Sequence, residues 1–239
     1  MNCRTTSTRT GRFSRWCKAG MLGAALALTG SHLNAQVTTN GGSGLALTYP
    51  DLASAITALN AATITSSVSI SVDPGNPQTA PAGGYAITQL NPTAFTIGID
   101  GNGNTITSST ALVAGSLNDA IFKIIGGDRI TISAFNMIED PANTNNVAGT
   151  NNMTEFGVAV FYASTTDGAQ FITIINNTID LNRTYPNTFG IYATSQHSAT
   201  SISVAAQATA PSGAHNNLRI YNNDITDVNT GICVNGATT

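Results

Sequence analysis

No stretch of this 239-residue chain is apolar for long enough to span a bilayer, which takes about 20 residues. The longest apolar run, AGMLGAALALTG at residues 19–30, stops short. It has the build of an export leader instead. Arg4, Arg9, Arg12, Arg15 and Lys18 precede it as a basic segment, and Leu33-Asn34-Ala35 follows as a small-residue cleavage site. Residues 1–35 are therefore expected to be a signal peptide, and the protein to be secreted or displayed at the cell surface. Cys17 lies ahead of the apolar run and not at the cleavage point, which argues against a lipid anchor.

Cysteine is nearly absent. Cys3 and Cys17 belong to the expected leader, and Cys233 is left alone, so no intramolecular disulfide can staple the mature chain. An exported domain of that length must then be held by its core. Charge is scarce as well. Five of the nine basic residues leave with the leader. Lys123, Arg129, Arg183 and Arg219 remain against all twelve acidic residues, a net charge of −8. An acidic, charge-poor surface argues against nucleic acid and anionic membranes as partners, and makes a polyanionic substrate less natural.

Thr, Asn, Ser, Ala and Gly fill the places charge leaves empty, and the apolar residues among them are regularly spaced. Residues 36–48 read as a flexible lead-in. Asp51 then offers an N-cap, and Leu52, Ala55, Ile56 and Leu59 form one apolar helical face, which predicts a helix within 49–63. Everything after it reads as strand and turn. Val68-Ser-Ile70-Ser-Val72 alternates and stops at Asp73-Pro74-Gly75, and Phe95-Thr-Ile97-Gly-Ile99 alternates and stops at Asp100-Gly101-Asn102-Gly103.

An internal repeat organises the remainder. Segments 130–137, 172–179 and 218–225 align without gaps as I-x-I-x-x-x-x-M, I-x-I-x-N-N-x-I and L-x-I-x-N-N-x-I. A second unit led by Gly157, Gly190 and Gly231 recurs between them. Two strand units alternating every 33 to 46 residues, with no helix between, predict a solenoid of stacked strands. A β-sandwich also has many short strands but needs no repeat. In such a stack, Ile132, Ile174 and Ile220 form an inward ladder, and Asn177 and Asn223 are expected to bond along a turn that needs the left-handed backbone. The expected class is all-β, a right-handed parallel β-helix over residues 64–239 with a helix capping its start. The chain ends five residues after Val234 with no matching cap, so further C-terminal coils are expected.

The run DLASAITALNAA leading to VSISVDPG, with the repeated I-x-I-x-N-N-x-I and Gly-led strands, resembles the pectate-lyase-like β-helix superfamily. The whole is similar to the N-terminal part of large secreted or surface β-helix proteins. That superfamily holds lyases, glycosidases, esterases, adhesins and phage spikes, so the resemblance implies a fold and leaves activity open. Its Asn-Thr-Asp, Asp-Asp, Gly-His-Gly and Arg-Ile-Lys hydrolase motifs are missing here.

Carboxylates cluster just after the Asn turn. Glu139, Asp140, Asp180 and Asp227 are the catalytic candidates, and Asp180 and Asp227 the candidates for Ca2+, the one cofactor this ridge suggests. Solvated turn carboxylates are the competing reading. Tyr162, Arg183, Tyr185, Tyr192 and Arg219 are candidate sugar contacts, because aromatic rings stack on sugars. They flank two long loops, 140–154 and 194–217, expected to leave the repeat on one side. The function expected from all this is a non-catalytic adhesive or glycan-binding module whose partner is an extracellular glycan or surface component. The alternative is a polysaccharide lyase or glycoside hydrolase.

Overall fold

The computed structural model describes residues 35–109, 114–115, 117–199 and 207–236. The expected leader lies outside the described residues apart from Ala35. The described chain is mostly β. It opens with β1 (Val37–Thr39), β2 (Thr48–Tyr49) and helix α1 (Leu52–Ala61). Five strand triplets follow: β3 (Val68–Val72), β4 (Gln78–Thr79) and β5 (Tyr85–Ile87); β6 (Ile97–Asp100), β7 (Thr105–Thr107) and β8 (Ala120–Ile125); β9 (Ile130–Ser133), β10 (Asn136–Ile138) and β11 (Phe156–Tyr162); β12 (Thr173–Ile175), β13 (Thr178–Asp180) and β14 (Phe189–Ser198); β15 (Arg219–Tyr221), β16 (Asp224–Thr226) and β17 (Thr230–Asn235).

Each member of a triplet joins a different sheet. The first sheet runs β15-β12-β9-β6-β3-β1-β2, the second β16-β13-β10-β7-β4 and the third β17-β14-β11-β8-β5. All pairings are parallel except those of β1, which lies antiparallel to β2 and β3. The lead-in expected to be flexible begins as strand over Val37–Thr39: Val37 pairs with both Tyr49 and Val72 and is wholly buried. It covers an edge of the first sheet that would otherwise present unpaired backbone groups.

Register stacks like on like. Ile99, Ile132, Ile174 and Ile220 are successive partners in the first sheet, and Ile106, Met137, Ile179 and Ile225 in the second. Tyr85, Phe122, Val158, Ile191 and Ile232 follow each other in the third. The branched side chains suit the pleat, and the ladder above β15 is fully buried. In α1, Asp51 accepts a hydrogen bond from the Ser54 amide at 2.7 Å, and Leu52, Ala55, Ile56 and Leu59 are the buried face. Asn60, near its end, donates to the Ala86 carbonyl and accepts from the Thr88 amide, so the helix is tied to β5, the edge of the third sheet.

The first-to-second-sheet turn explains the asparagines. The left-handed residue is Ala134, Asn176 or Asn222, at φ 54–57°. The residue after it makes the ladder. Asn223 Oδ1 accepts from the Asn177 amide, and Asn177 Oδ1 accepts from the Phe135 amide. Asn104 Oδ1 accepts in the same way from the Asn76 amide, although two extra residues, Asn102 and Gly103, hide it in the sequence. Phe135 interrupts the row and stacks instead on Phe122, itself stacked on Tyr85, with centroids 5.1 and 5.2 Å apart. Gly157 and Gly190 lead the third-sheet strands because a Cβ there would stand 2.5 or 2.4 Å from Ile179 or Ile225.

The two long loops do not share a side. Residues 139–155 run from the second sheet to the third, whereas the other runs from the third to the first and starts later, since β14 continues to Ser198. Both lengths are tolerated because each leaves a strand end without disturbing the ladders.

Candidate functional site

An opening lies where the chain passes from the third sheet to the first. Connections 88–96, 126–129 and 163–172 and the segment 207–218 meet there, and successive ones are bonded backbone to backbone: Asp128 N to Leu90 O, Arg129 N to Gln170 O, and Phe171 N to Asn216 O. These links hold a cleft of about 510 Å3, walled by Asn60, Thr63, Thr88, Gln89, Leu90, Thr93, Asp128 and Asp167. Ala62, Ile64, Leu90 and Pro92 give the lining a largely apolar surface, with hydroxyl and amide groups set among them and Leu90 exposed.

Two carboxylates face this cleft. Burial raises the Asp128 carboxyl above its ordinary value; the Gln170 amide and the Arg129 guanidinium act against this, and nearby Asp167 adds to it. Asp128 Oδ1 accepts from Gln170 N at 2.8 Å, and Oδ2 lies 4.0 Å from Arg129. Burial raises Asp167 too.

Arg129 carries the opening onto the first sheet. There a groove of about 300 Å3 is lined by Ala94, Thr96, Arg129, Thr131, Phe171, Thr173, Asn217 and Arg219. The Arg129 guanidinium sits 4.6 Å above the Phe171 ring, which is 42 % exposed. Arg129, Phe171 and Asn217 occupy one column, and all three are left-handed, at φ 55–58°. Such backbone is uncommon for Arg and Phe and costs about 1 kcal/mol or more each.

His215 ties the neighbouring connection to the third sheet. Its Nδ1 accepts from the Ala169 amide at 3.0 Å, and Nε2 donates to the Thr194 carbonyl at 2.7 Å. Those two roles define the neutral ring, and burial lowers its pKa.

The residues singled out from sequence fall elsewhere, apart from Arg219. Glu139 is buried, so it is no part of a solvated ridge. Its carboxylate accepts from Ser108 Oγ, Asn143 Nδ2, Thr154 Oγ1 and the Thr154 amide, which binds three segments together. Asp140 Oδ1 accepts from the Ala142 amide as a turn residue. Asp180 Oδ1 accepts from Thr226 Oγ1, and Asp227 pairs with Arg183 at 3.3 Å on an exposed surface. A guanidinium thus stands where a cation on Asp227 would, and no group of three or more His, Cys, Asp or Glu is disposed to hold a metal among the described residues.

Tyr162, Tyr185 and Tyr192 are buried and offer no open ring to a sugar. Tyr192 packs on Phe156, Phe161 and Phe189, and its hydroxyl bonds His197 Nδ1 at 2.8 Å. Tyr185 is held by Asn187 and Asn229.

A second acidic pair is buried where the second sheet passes to the third. Glu155 is fully enclosed and accepts from the Asp119 and Asn151 groups at 3.0 and 2.8 Å. Burial, with Asp119 nearby, pushes its pKa up to about 8, and burial lowers that of Lys123 beside it. A small pocket of about 110 Å3 opens on Glu155, Phe156, Phe189 and Tyr192.

Sequence reasoning missed Asp128, Arg129, Asp167 and Phe171. A signal existed for two of them: extending the aligned repeat one residue upstream puts Arg129, Phe171 and Asn217 in one column. Compared with protein-family models, curated proteins and solved structures, the chain has no match in any of the three.

Proposed function

We propose that the five strand triplets wind as a right-handed parallel β-helix of the pectate-lyase-like kind, exported by residues 1–35. Its role is that of a non-catalytic glycan-binding or adhesive module of the cell exterior. Three parallel sheets visited in constant order support the winding, and parallel crossovers are right-handed in about 98 % of cases. Binding runs through the third-to-first-sheet side, where one of the two long loops lies.

One observation carries the binding reading: a cleft of mixed apolar, hydroxyl and amide lining continues through Asp128 and Arg129 into a groove with an open aromatic ring. Hydroxyls and amides match sugar hydroxyls, and a half-exposed ring matches a sugar face. A glycan array followed by titration calorimetry tests this. Binding that Phe171→Ala weakens is the expected result, and an array without a single bound glycan sinks the reading.

Asp128 and Asp167 favour a second reading. Two carboxylates of raised pKa in one cleft are a pattern for acid/base work on a glycosidic bond. A screen over acidic and neutral polysaccharides, reading reducing ends and unsaturated products, separates the two. Product formation abolished by Asp128→Asn replaces the binding module with an enzyme.

A further inference from the structure

We propose that the cleft between the third and first sheets takes a cationic glycan, built of amino sugars with free, protonated amines, and that Asp167 receives an ammonium group. The proposal rests on the glycan-binding reading and adds the class of glycan. Outside residues 1–35 the chain carries a net charge of −8, which attracts a cation and repels an anion.

The cleft is rich in acceptors and poor in donors. Asn60 donates its amide N–H to the Ala86 carbonyl, and Gln89 donates to the Leu59 and Ala62 carbonyls. Their side-chain oxygens each accept one backbone amide, from Thr88 and Asn91, and keep a second lone pair. With Asp128 and Asp167 added, the polar part of the wall presents mainly oxygen lone pairs. An ammonium group has three donors and no acceptor, the complement of such a wall.

The two carboxylates differ in what is left to them. Asp128 is engaged, by the Gln170 amide at 2.8 Å and by Arg129 at 4.0 Å. Asp167 closes its turn through backbone groups, and its carboxylate has no hydrogen-bond or ion-pair partner among the described residues. Burial holds both carboxyls above their ordinary values, and the charge of Asp167 adds to the effect on Asp128. A ligand cation at Asp167 relieves that cost, which Arg129, stacked on Phe171, relieves for Asp128 alone.

The rest of the cleft fits a sugar chain. Its volume of about 510 Å3 is more than a small amine fills. Ile64, Leu90 and Pro92 offer apolar surface to the C–H faces of sugar rings. The Thr63 and Thr88 hydroxyls make no hydrogen bond among the described residues and are exposed to meet sugar hydroxyls.

Titration calorimetry of the full chain compares three probes: a glucosamine oligomer, its fully N-acetylated counterpart of the same length, and a lysine–alanine peptide of the same charge. At a pH where the amines are protonated, the glucosamine oligomer is expected to bind at least about tenfold more tightly than the acetylated one. That preference falls with salt and is lost in Asp167→Asn, and an unchanged melting curve documents that the variant folds. Equal affinity for the two oligomers overturns the cationic class and leaves glycan binding standing. A preference that survives Asp167→Asn overturns the site, and tighter binding of the peptide overturns the sugar. No binding of either oligomer overturns the proposal, whereas the glycan-binding reading falls only with an empty array.

Discussion

Two turns of the same repeat are used in opposite ways. Between the first and second sheets the chain turns in two residues, Asn176-Asn177 or Asn222-Asn223, and the side chains of that column bond each other's backbone. Between the third and first sheets the connections vary freely in length, and the stacked column there, Arg129, Phe171 and Asn217, points donors and a ring into open space. Both columns spend the cost of left-handed backbone. In the first turn it allows a tight reversal, whose amide and carbonyl groups the asparagines then satisfy. In the second the Arg129 and Phe171 amides are satisfied by the Gln170 and Asn216 carbonyls of the next connection, which leaves the side chains of the column to face the groove. Stacking multiplies whatever a column contains, so a repeat can turn one position into a buried ladder and another into an extended binding surface.

Breaking the ladder gives the largest expected effect. Asn177→Ala leaves the Phe135 amide and the Ile132 carbonyl without the partners they have now, both in the interior. Each buried orphan costs about 1–3 kcal/mol, so a loss of about 3 kcal/mol is expected in urea unfolding. A loss below about 1 kcal/mol would show that the ladder is decorative.

Phe135→Asn probes the one interruption of that column. It restores an amide at the ladder position but removes a ring packed on Phe122 and Gly101. Truncating a buried Phe costs about 3–5 kcal/mol, and a regained hydrogen bond returns about 1. A net loss of about 2 kcal/mol is expected. A gain in stability would mean that the ring fills space the asparagine row fills better.

The ladder and the helix were legible in the sequence because each is written in a period, whereas the two alternating strand units read there became three sheets. Ile at alternate positions, Asn at a constant offset and the Leu52-Ala55-Ile56-Leu59 face all follow from spacing alone. The binding side was not, because connections of unequal length have no period to read. Glu139 shows the limit well. Its position beside a turn suggests solvent, yet Ser108 and Thr154, 31 and 15 residues away, fold over it with nearby Asn143 and supply its donors. Tyr185 and Tyr192 were misread for the same reason: a flanking loop says where a ring starts, and only packing says where it ends. Asn104 escaped notice through a two-residue insertion, Asn102-Gly103, that shifts the column without disturbing it.

The second-to-third-sheet turn, with its buried Glu155, adds a pH test to the comparison. Its folded pKa of about 8 exceeds the ordinary 4.5, so the folded state binds more protons than the unfolded state between those values. Stability therefore falls as pH rises through that window. Glu155→Gln removes the titrating group and should be more stable than the parent at pH 8, by about 1–2 kcal/mol after allowance for nearby Lys123 and Asp119. Below about pH 4.5 the two should coincide. Parallel stability curves for parent and variant across pH 5–8 would mean that the carboxyl is ionised in the fold.

The smallest stability effect is expected at the open turn, and there the comparison is sharpest. Asp167 is half-exposed in the cleft, and its backbone alone closes the 164–167 turn, through the Ser164 and Ala163 groups. Asp167→Asn keeps its shape and should change unfolding free energy by less than about 0.5 kcal/mol. It should nevertheless change glycan affinity several-fold, because it alters the charge beside Asp128 and the hydrogen-bonding character of the wall. The ladder column is predicted to give the reverse signature, with stability lost. A conservative Asp167→Asn change that unfolds the protein, or one that leaves every bound glycan untouched, would erase the distinction between a turn kept for the fold and a turn kept for a ligand.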